Sequence, residues 1–104
     1  MRAVANKEEI VERLREARRQ IVPLGVRSIG LFGSFATGKQ TPASDVDLLV
    51  DFAPDQHTFD NFMNLSFLLE GVLGRKVELV TPESLSPHIG PHILREAKHV
   101  SFAA

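Results

Sequence analysis

An α/β architecture, with helices layered on a three- or four-stranded sheet, follows from three features of this 104-residue sequence. Two stretches, Asn6 to Ile21 and Thr58 to Leu73, repeat apolar residues at helical spacing. Three shorter runs, Arg27 to Phe32, Val46 to Phe52 and Lys76 to Val80, are dense in Val, Leu and Ile and end in turn residues. The two kinds alternate along the chain, with no repeat, low-complexity tract or Ser/Gly linker between them, so residues 1–104 read as one domain.

Each element has a local cause. In the first helix, Asn6 and Glu9 have the spacing of a reciprocal N-terminal cap, and Ile10, Leu14, Ala17 and Ile21 form the stripe to be buried. Pro23 and Gly25 end it. The strand to Phe32 runs into Gly33-Ser34, which reads as a tight strand-to-helix turn, and Gly38 to Ser44 reads as loop. The strand from Val46 closes at Ala53-Pro54-Asp55. Gly74 is placed to stop the second long helix, and Thr81-Pro82-Glu83 supplies an N-cap and a proline suited to a first helical turn. A last helix is expected to start near Pro91. The helix from Phe59 to Leu73 carries Phe59, Phe62, Met63, Ser66 and Leu69 on one side. Leu65, Leu68 and Val72 widen that apolar arc beyond one stripe, which points either to deeper burial or to a protein partner or self-association.

Composition narrows the function classes. The chain has no Cys, which excludes a disulfide framework, a thiolate metal site and a cysteine nucleophile. Twelve Lys and Arg against thirteen Asp and Glu give a net charge of −1, too little basic excess for a protein whose main work is binding nucleic-acid phosphates. No apolar run approaches the ~20 residues that span a bilayer, and residues 1–15 are charged and amphipathic rather than a signal peptide, so a cytoplasmic protein with no membrane partner is expected. Arg13, Arg15, Arg18 and Arg19 interleave with Glu8, Glu9, Glu12 and Glu16 at three- and four-residue spacing, the pattern of a salt-bridged exposed face. His88 and His92 are four apart, but Gly90-Pro91 between them breaks the helix that would align them as metal ligands.

The chemistry concentrates in Gly33-Ser34, then ten residues, then Asp45-Val46-Asp47, with Glu78 on the next strand. Residues two apart at a strand's start share a face, so Asp45 and Asp47 set two carboxylates side by side while Val46 and Leu48 face the core. Adjacent anions repel unless a cation sits with them, and hard oxygen ligands suit Mg²⁺, which binds through one or two carboxylates plus substrate phosphates. Gly33-Ser34 offers backbone N–H groups and a hydroxyl with no Cβ at the glycine, which lets a phosphate approach. Glu78, at an alternating position in its strand, can complete the metal shell or accept the proton of an attacking hydroxyl. This is the layout of metal-assisted nucleotidyl transfer.

Leu31-Phe32-Gly33-Ser34, Asp45-Val46-Asp47-Leu48 and Gly74-Arg75-Lys76-Val77-Glu78-Leu79-Val80 resemble the DNA polymerase β-like nucleotidyltransferase superfamily, most of all its minimal nucleotidyltransferase branch. The resemblance runs from Ser28 to about Val100 and implies a small mixed β-sheet flanked by helices. It implies that Gly33 and Ser34 hold the triphosphate of ATP, that Asp45 and Asp47 bind two Mg²⁺ ions, and that Glu78 joins them as third acidic ligand and assists the nucleophile. Two positions depart from the pattern. Thr37 stands where Arg is common, leaving nearby Lys39 as a point-charge phosphate ligand, and Glu78 stands where Asp is common.

The resemblance also implies AMP transfer to an acceptor hydroxyl with release of pyrophosphate, the acceptor being a tyrosine of a HEPN-type toxin that such antitoxins modify. A binding module that neutralises its partner by contact, with a vestigial site, is the alternative from another class. A small-molecule nucleotidyltransferase would share the core but lacks an acceptor domain here. Gly33 to Lys39 also reads G-x-x-x-x-G-K, the start of a P-loop, but Gln40 replaces the required Ser or Thr and Thr41-Pro42 forbids the helix that must follow.

Overall fold

In a computed structural model, which describes residues 2–88 and 90–102, four strands form one mixed sheet in the order β3-β2-β1-β4. The strands are β1 (Val26–Phe32), β2 (Val46–Phe52), β3 (Val77–Val80) and β4 (Lys98–Ser101). β1 pairs antiparallel with both β2 and β4, and β2 pairs parallel with β3. The expected small mixed sheet flanked by helices is therefore present, with β4 as a strand that the sequence left unassigned.

The first helical stretch divides into α1 (Lys7–Glu16) and α2 (Arg18–Ile21), separated at Ala17 and followed by a 3-10 turn over Val22–Leu24. Its periodicity survives the division, since Ile10, Leu14, Ala17 and Ile21 are all buried. The cap is reciprocal in a shifted form. Asn6 Oδ1 accepts from the Glu9 N–H at 2.9 Å, but the Glu9 carboxylate accepts from the Ala5 N–H at 2.7 Å, one residue before the cap. The salt-bridged face expected along this stretch does not form. Arg13 donates instead to the carbonyls of Arg2 and Val72, and Arg18 to that of Phe102. Among the described residues, the ion pair within 4.0 Å is Arg27–Asp51. Arginine forks thus tie chain segments together where carbonyls lie in reach, a role that charge spacing on a helix does not encode.

The long helix α4 (Phe59–Leu73) is capped by the Thr58 hydroxyl, which accepts from the Asn61 N–H at 3.1 Å, and is closed by Gly74 in the left-handed conformation. Its buried stripe is Leu65, Leu69 and Leu73, with Phe62, Leu68 and Val72 half-buried beside it. Phe59 and Phe67 point outward, 77% and 65% exposed, so the apolar arc is wider than the core it covers. α1, α2 and α4 pack on the sheet face bearing Ile29, Leu31, Val46, Leu48 and Val50. Leu69 sits in this core with no exposure, and Leu69→Ala is expected to cost about 3 kcal/mol by lost transfer energy and cavity formation. Urea unfolding monitored by circular dichroism measures it.

Beyond β3 a 3-10 turn (Pro82–Ser84) and α5 (Gly90–Glu96) return across the other sheet face to β4, the turn packing on β2 and α5 on β1. Leu49, which points to that face, is consequently 2% exposed. Among the described residues no helix is long and apolar enough to cross a membrane.

Candidate active site

The sheet topology gathers the sequence-predicted residues. Because β1 and β2 are antiparallel, the end of β1 lies beside the start of β2, and Phe32 is the register partner of Asp47. Because β2 and β3 are parallel, the start of β3 lies there too, and Asp47 is the register partner of Glu78. The Gly33-Ser34 turn, Asp47 and Glu78 therefore meet at one end of the sheet, and register partners share a face.

The turn leads into a single helical turn, α3 (Ser34–Thr37), closed at Gly38 in the left-handed conformation. Phe35, 1% exposed, anchors it in the core. The Thr37 hydroxyl donates back to the Gly33 and Ser34 carbonyls at 3.4 and 3.3 Å, so this departure from the family pattern serves to close the turn. A P-loop needs a long helix continuing past its Gly-Lys, whereas here the helical turn ends before Lys39. The Lys39 N–H closes onto the Ser34 carbonyl at 2.9 Å, its side chain is exposed, and it makes no ion pair within 4.0 Å among the described residues.

Gly33 has φ +75° and ψ −155°, a combination confined almost entirely to glycine. A Cβ there would collide with the Asp47 carboxylate, standing 2.9 Å from Cγ and overlapping Oδ2. The turn and the carboxylate thus touch directly.

Asp47 is half-buried, while Asp45, just before β2, and Glu78 are exposed. The Asp47 pKa rises from 3.8 to about 6. Burial is the main cause, followed by the Glu78 charge, a hydrogen bond shared with the Glu78 side chain, and the Asp45 charge. Asp47 and Glu78, in hydrogen-bond reach of each other, offer carboxylate oxygens of the kind a hard cation takes, and a cation there would relieve their repulsion. Among the described residues no group of three or more His, Cys, Asp or Glu side chains is arranged to hold a metal ion by itself, so Asp45, Asp47 and Glu78 do not form the three-ligand set expected of them. Mg²⁺ needs only one or two carboxylates when substrate oxygens and water fill the remaining positions. Asp45 and Asp47 are the candidate pair, with Glu78 next to Asp47.

One residue to which the sequence assigned no role lies beside this site. Arg75, between α4 and β3, donates to backbone carbonyls of Val4, Pro42 and Ser44, which are 71, 33 and 31 residues away along the chain. Contacts over such separations leave no periodic signal.

The nucleotidyltransferase domain model matches residues 11–100 of this chain. The chain belongs to the nucleotidyltransferase-domain family. Within that family it is similar to protein adenylyltransferase MntA of Thermococcus cleftensis, with 40% identity over 92% of this chain and 86% of the relative. A solved structure provisionally described as a minimal nucleotidyltransferase is 35% identical with a TM-score of 0.69, covering 85% of this chain and 93% of its own. A crystal structure of a toxin-antitoxin with AMP-PNP matches at 27% identity and a TM-score of 0.65, over 91% of this chain and 72% of that one. This chain is accordingly an MntA-like minimal nucleotidyltransferase, and an enzyme of the transferase class.

Proposed function

We propose that this nucleotidyltransferase moves AMP from ATP onto a tyrosine hydroxyl of a HEPN-type toxin and so acts as an antitoxin. The observation that carries the reading is the meeting of Asp47 and Glu78 in register on β2 and β3, against the Cβ-free surface of Gly33. Similarity to a protein adenylyltransferase supports a protein acceptor, and similarity to a toxin-antitoxin structure holding AMP-PNP supports both nucleotide and partner.

In this reading Gly33 and Ser34 bind the triphosphate, with Lys39 adding a positive charge, and Asp45 and Asp47 hold Mg²⁺. Mg²⁺ held there would neutralise charge at the transferring phosphate and at the leaving pyrophosphate. Glu78, exposed at the mouth of the site, accepts the proton of the acceptor hydroxyl as its oxygen bonds to the α-phosphorus. The bond from that phosphorus to the bridging oxygen of pyrophosphate breaks, and its electron pair leaves with pyrophosphate. Asp47 must be ionised to act as a ligand and its metal-free carboxyl is pushed up to about 6, so proton and Mg²⁺ compete there and the Mg²⁺ concentration needed for activity should rise as pH falls through about 6.

The test is incubation with ATP, Mg²⁺ and a companion HEPN-type toxin, followed by intact mass spectrometry of both proteins. The expected result is an increment of one or more AMP on the toxin, absent with Asp45→Asn/Asp47→Asn protein.

A second reading, neutralisation by contact, is favoured by one feature. Phe59 lines an open pocket of about 630 Å³ with Phe62, Leu79 and Val80, and Phe67 is exposed on the same helix. Complex formation with no mass increment would favour that reading.

A further inference from the structure

We propose that Arg75 is a positioning residue for nucleotidyl transfer, fixing the approach to β2 so that Asp45 is held close to Asp47. The inference rests on the nucleotide-site reading above. Asp45 precedes β2, so the strand ladder that sets Asp47 does not reach it. Its place depends on the loop before it. Arg75 holds that loop from beneath: Nη1 donates to the Pro42 carbonyl at 2.9 Å and to the Ser44 carbonyl at 3.1 Å, one residue before Asp45.

The same guanidinium lies 5.1 Å over the ring of Phe35, the residue after Ser34, and Nε donates to the Val4 carbonyl at 2.7 Å. Three residues later in the chain comes Glu78. One planar group therefore contacts the turn that carries Ser34 and the loop that carries Asp45, and it sits at the root of the strand that carries Glu78. The rest of the loop is held mainly by its own turn, with the Thr41 N–H donating to Ser44 Oγ at 2.8 Å and the Ser44 N–H to the Thr41 carbonyl at 3.0 Å. Those bonds shape the loop, and its two ends are tied down by Gln40 Nε2 donating to the Ala5 carbonyl at 3.1 Å and by the Val46 N–H donating to the Lys76 carbonyl at 3.0 Å, which leaves Arg75 as the side chain that holds residues 42–44 between them.

The geometry needs a guanidinium. A fork serves three carbonyls in fixed directions while its flat face covers an aromatic ring; an ammonium has donors enough but neither the plane nor the reach to do both. Losing the fork frees Pro42 and Ser44 to turn toward water, and the Asp45 carboxylate then samples positions away from Asp47.

The test compares wild type, Arg75→Lys and Arg75→Met in the full chain, by amide hydrogen exchange and by calorimetric titration with AMP-PNP at increasing Mg²⁺. For Arg75→Met, exchange over residues 41–46 should accelerate at least tenfold while β1 and α4 keep their protection. The Mg²⁺ concentration that half-maximally tightens AMP-PNP binding should rise about tenfold, with Arg75→Lys intermediate in both. A merely structural role would lower stability throughout and leave the Mg²⁺ requirement of the folded fraction unchanged. Wild-type exchange over 41–46 together with a wild-type Mg²⁺ requirement in Arg75→Met overturns the proposal, and Arg75→Lys gives the same decision if the Met variant does not fold. If wild type itself fails to bind AMP-PNP, the nucleotide-site reading falls, and local exchange alone decides whether Arg75 fixes the loop.

Discussion

Asp47→Asn is expected to lower AMP transfer by at least about 10³-fold, on the scale of losing a preorganised electrostatic contact to the reacting centre, and at the same time to make the protein more stable at neutral pH. The two effects have one origin. Asp47 is half-buried with Glu78 in hydrogen-bond reach, and its pKa of about 6 shows that the folded chain holds the carboxyl proton more tightly than the unfolded chain does. The resulting stability is fully present below the unfolded value near 3.8 and is lost as pH rises through about 6. At pH 7 the ionised group works against folding. Because Asp47 is partly open to solvent, the penalty is about 1–2 kcal/mol after allowance for screening. An amide keeps the shape and removes the charge. Thermal unfolding of wild type from pH 4 to 8 without Mg²⁺ should show stability falling across the pH 4–6 window, and Asp47→Asn should flatten that fall. An unchanged melting temperature with unchanged transfer would remove Asp47 from the site.

Gly33→Ala has the second largest expected effect. The backbone combination at Gly33 costs a residue with a Cβ about 1–3 kcal/mol. The new methyl would also displace the Asp47 carboxylate that it overlaps. Gly38→Ala is the natural comparison, since Gly38 has φ +74° with nothing within 4 Å of the added Cβ. It should lose about 1 kcal/mol from the left-handed backbone alone. Gly33→Ala should lose more than Gly38→Ala in urea unfolding and should weaken AMP transfer by at least about 10²-fold, as expected when a close approach at a reacting site is spoiled. Equal losses for the two variants would mean that the contact with Asp47 carries no cost.

Much of this was legible in the sequence because its causes are local. β2 occupies the residues its Val and Leu density marks out, and Gly74 stops α4 where expected, with Thr58 serving as the cap before its first residue. The candidate site was legible as a pattern for a related reason: a turn glycine, two carboxylates two apart and a third on the next strand each have a short-range signature. What escaped the sequence depends on distant partners. β4 has a single buried apolar residue, Val100, and is a strand because β1 offers an open edge. The arginines of the first helical stretch looked like partners for neighbouring glutamates, but Arg13 and Arg18 reach carbonyls 59 and 84 residues away, and Arg75 is tied just as remotely. The break at Ala17 carries no Gly or Pro and does not disturb the buried stripe, so periodicity reads straight through it.

The proposed metal-assisted nucleotide site lies where the end of β1 meets the starts of β2 and β3. Calorimetric titration of the wild-type chain with AMP-PNP, with and without Mg²⁺, tests it most directly when repeated on Asp47→Asn. Mg²⁺ should tighten wild-type binding at least tenfold and have little effect on the variant. Binding that is equally tight without Mg²⁺, or equally Mg²⁺-dependent in Asp47→Asn, would contradict it.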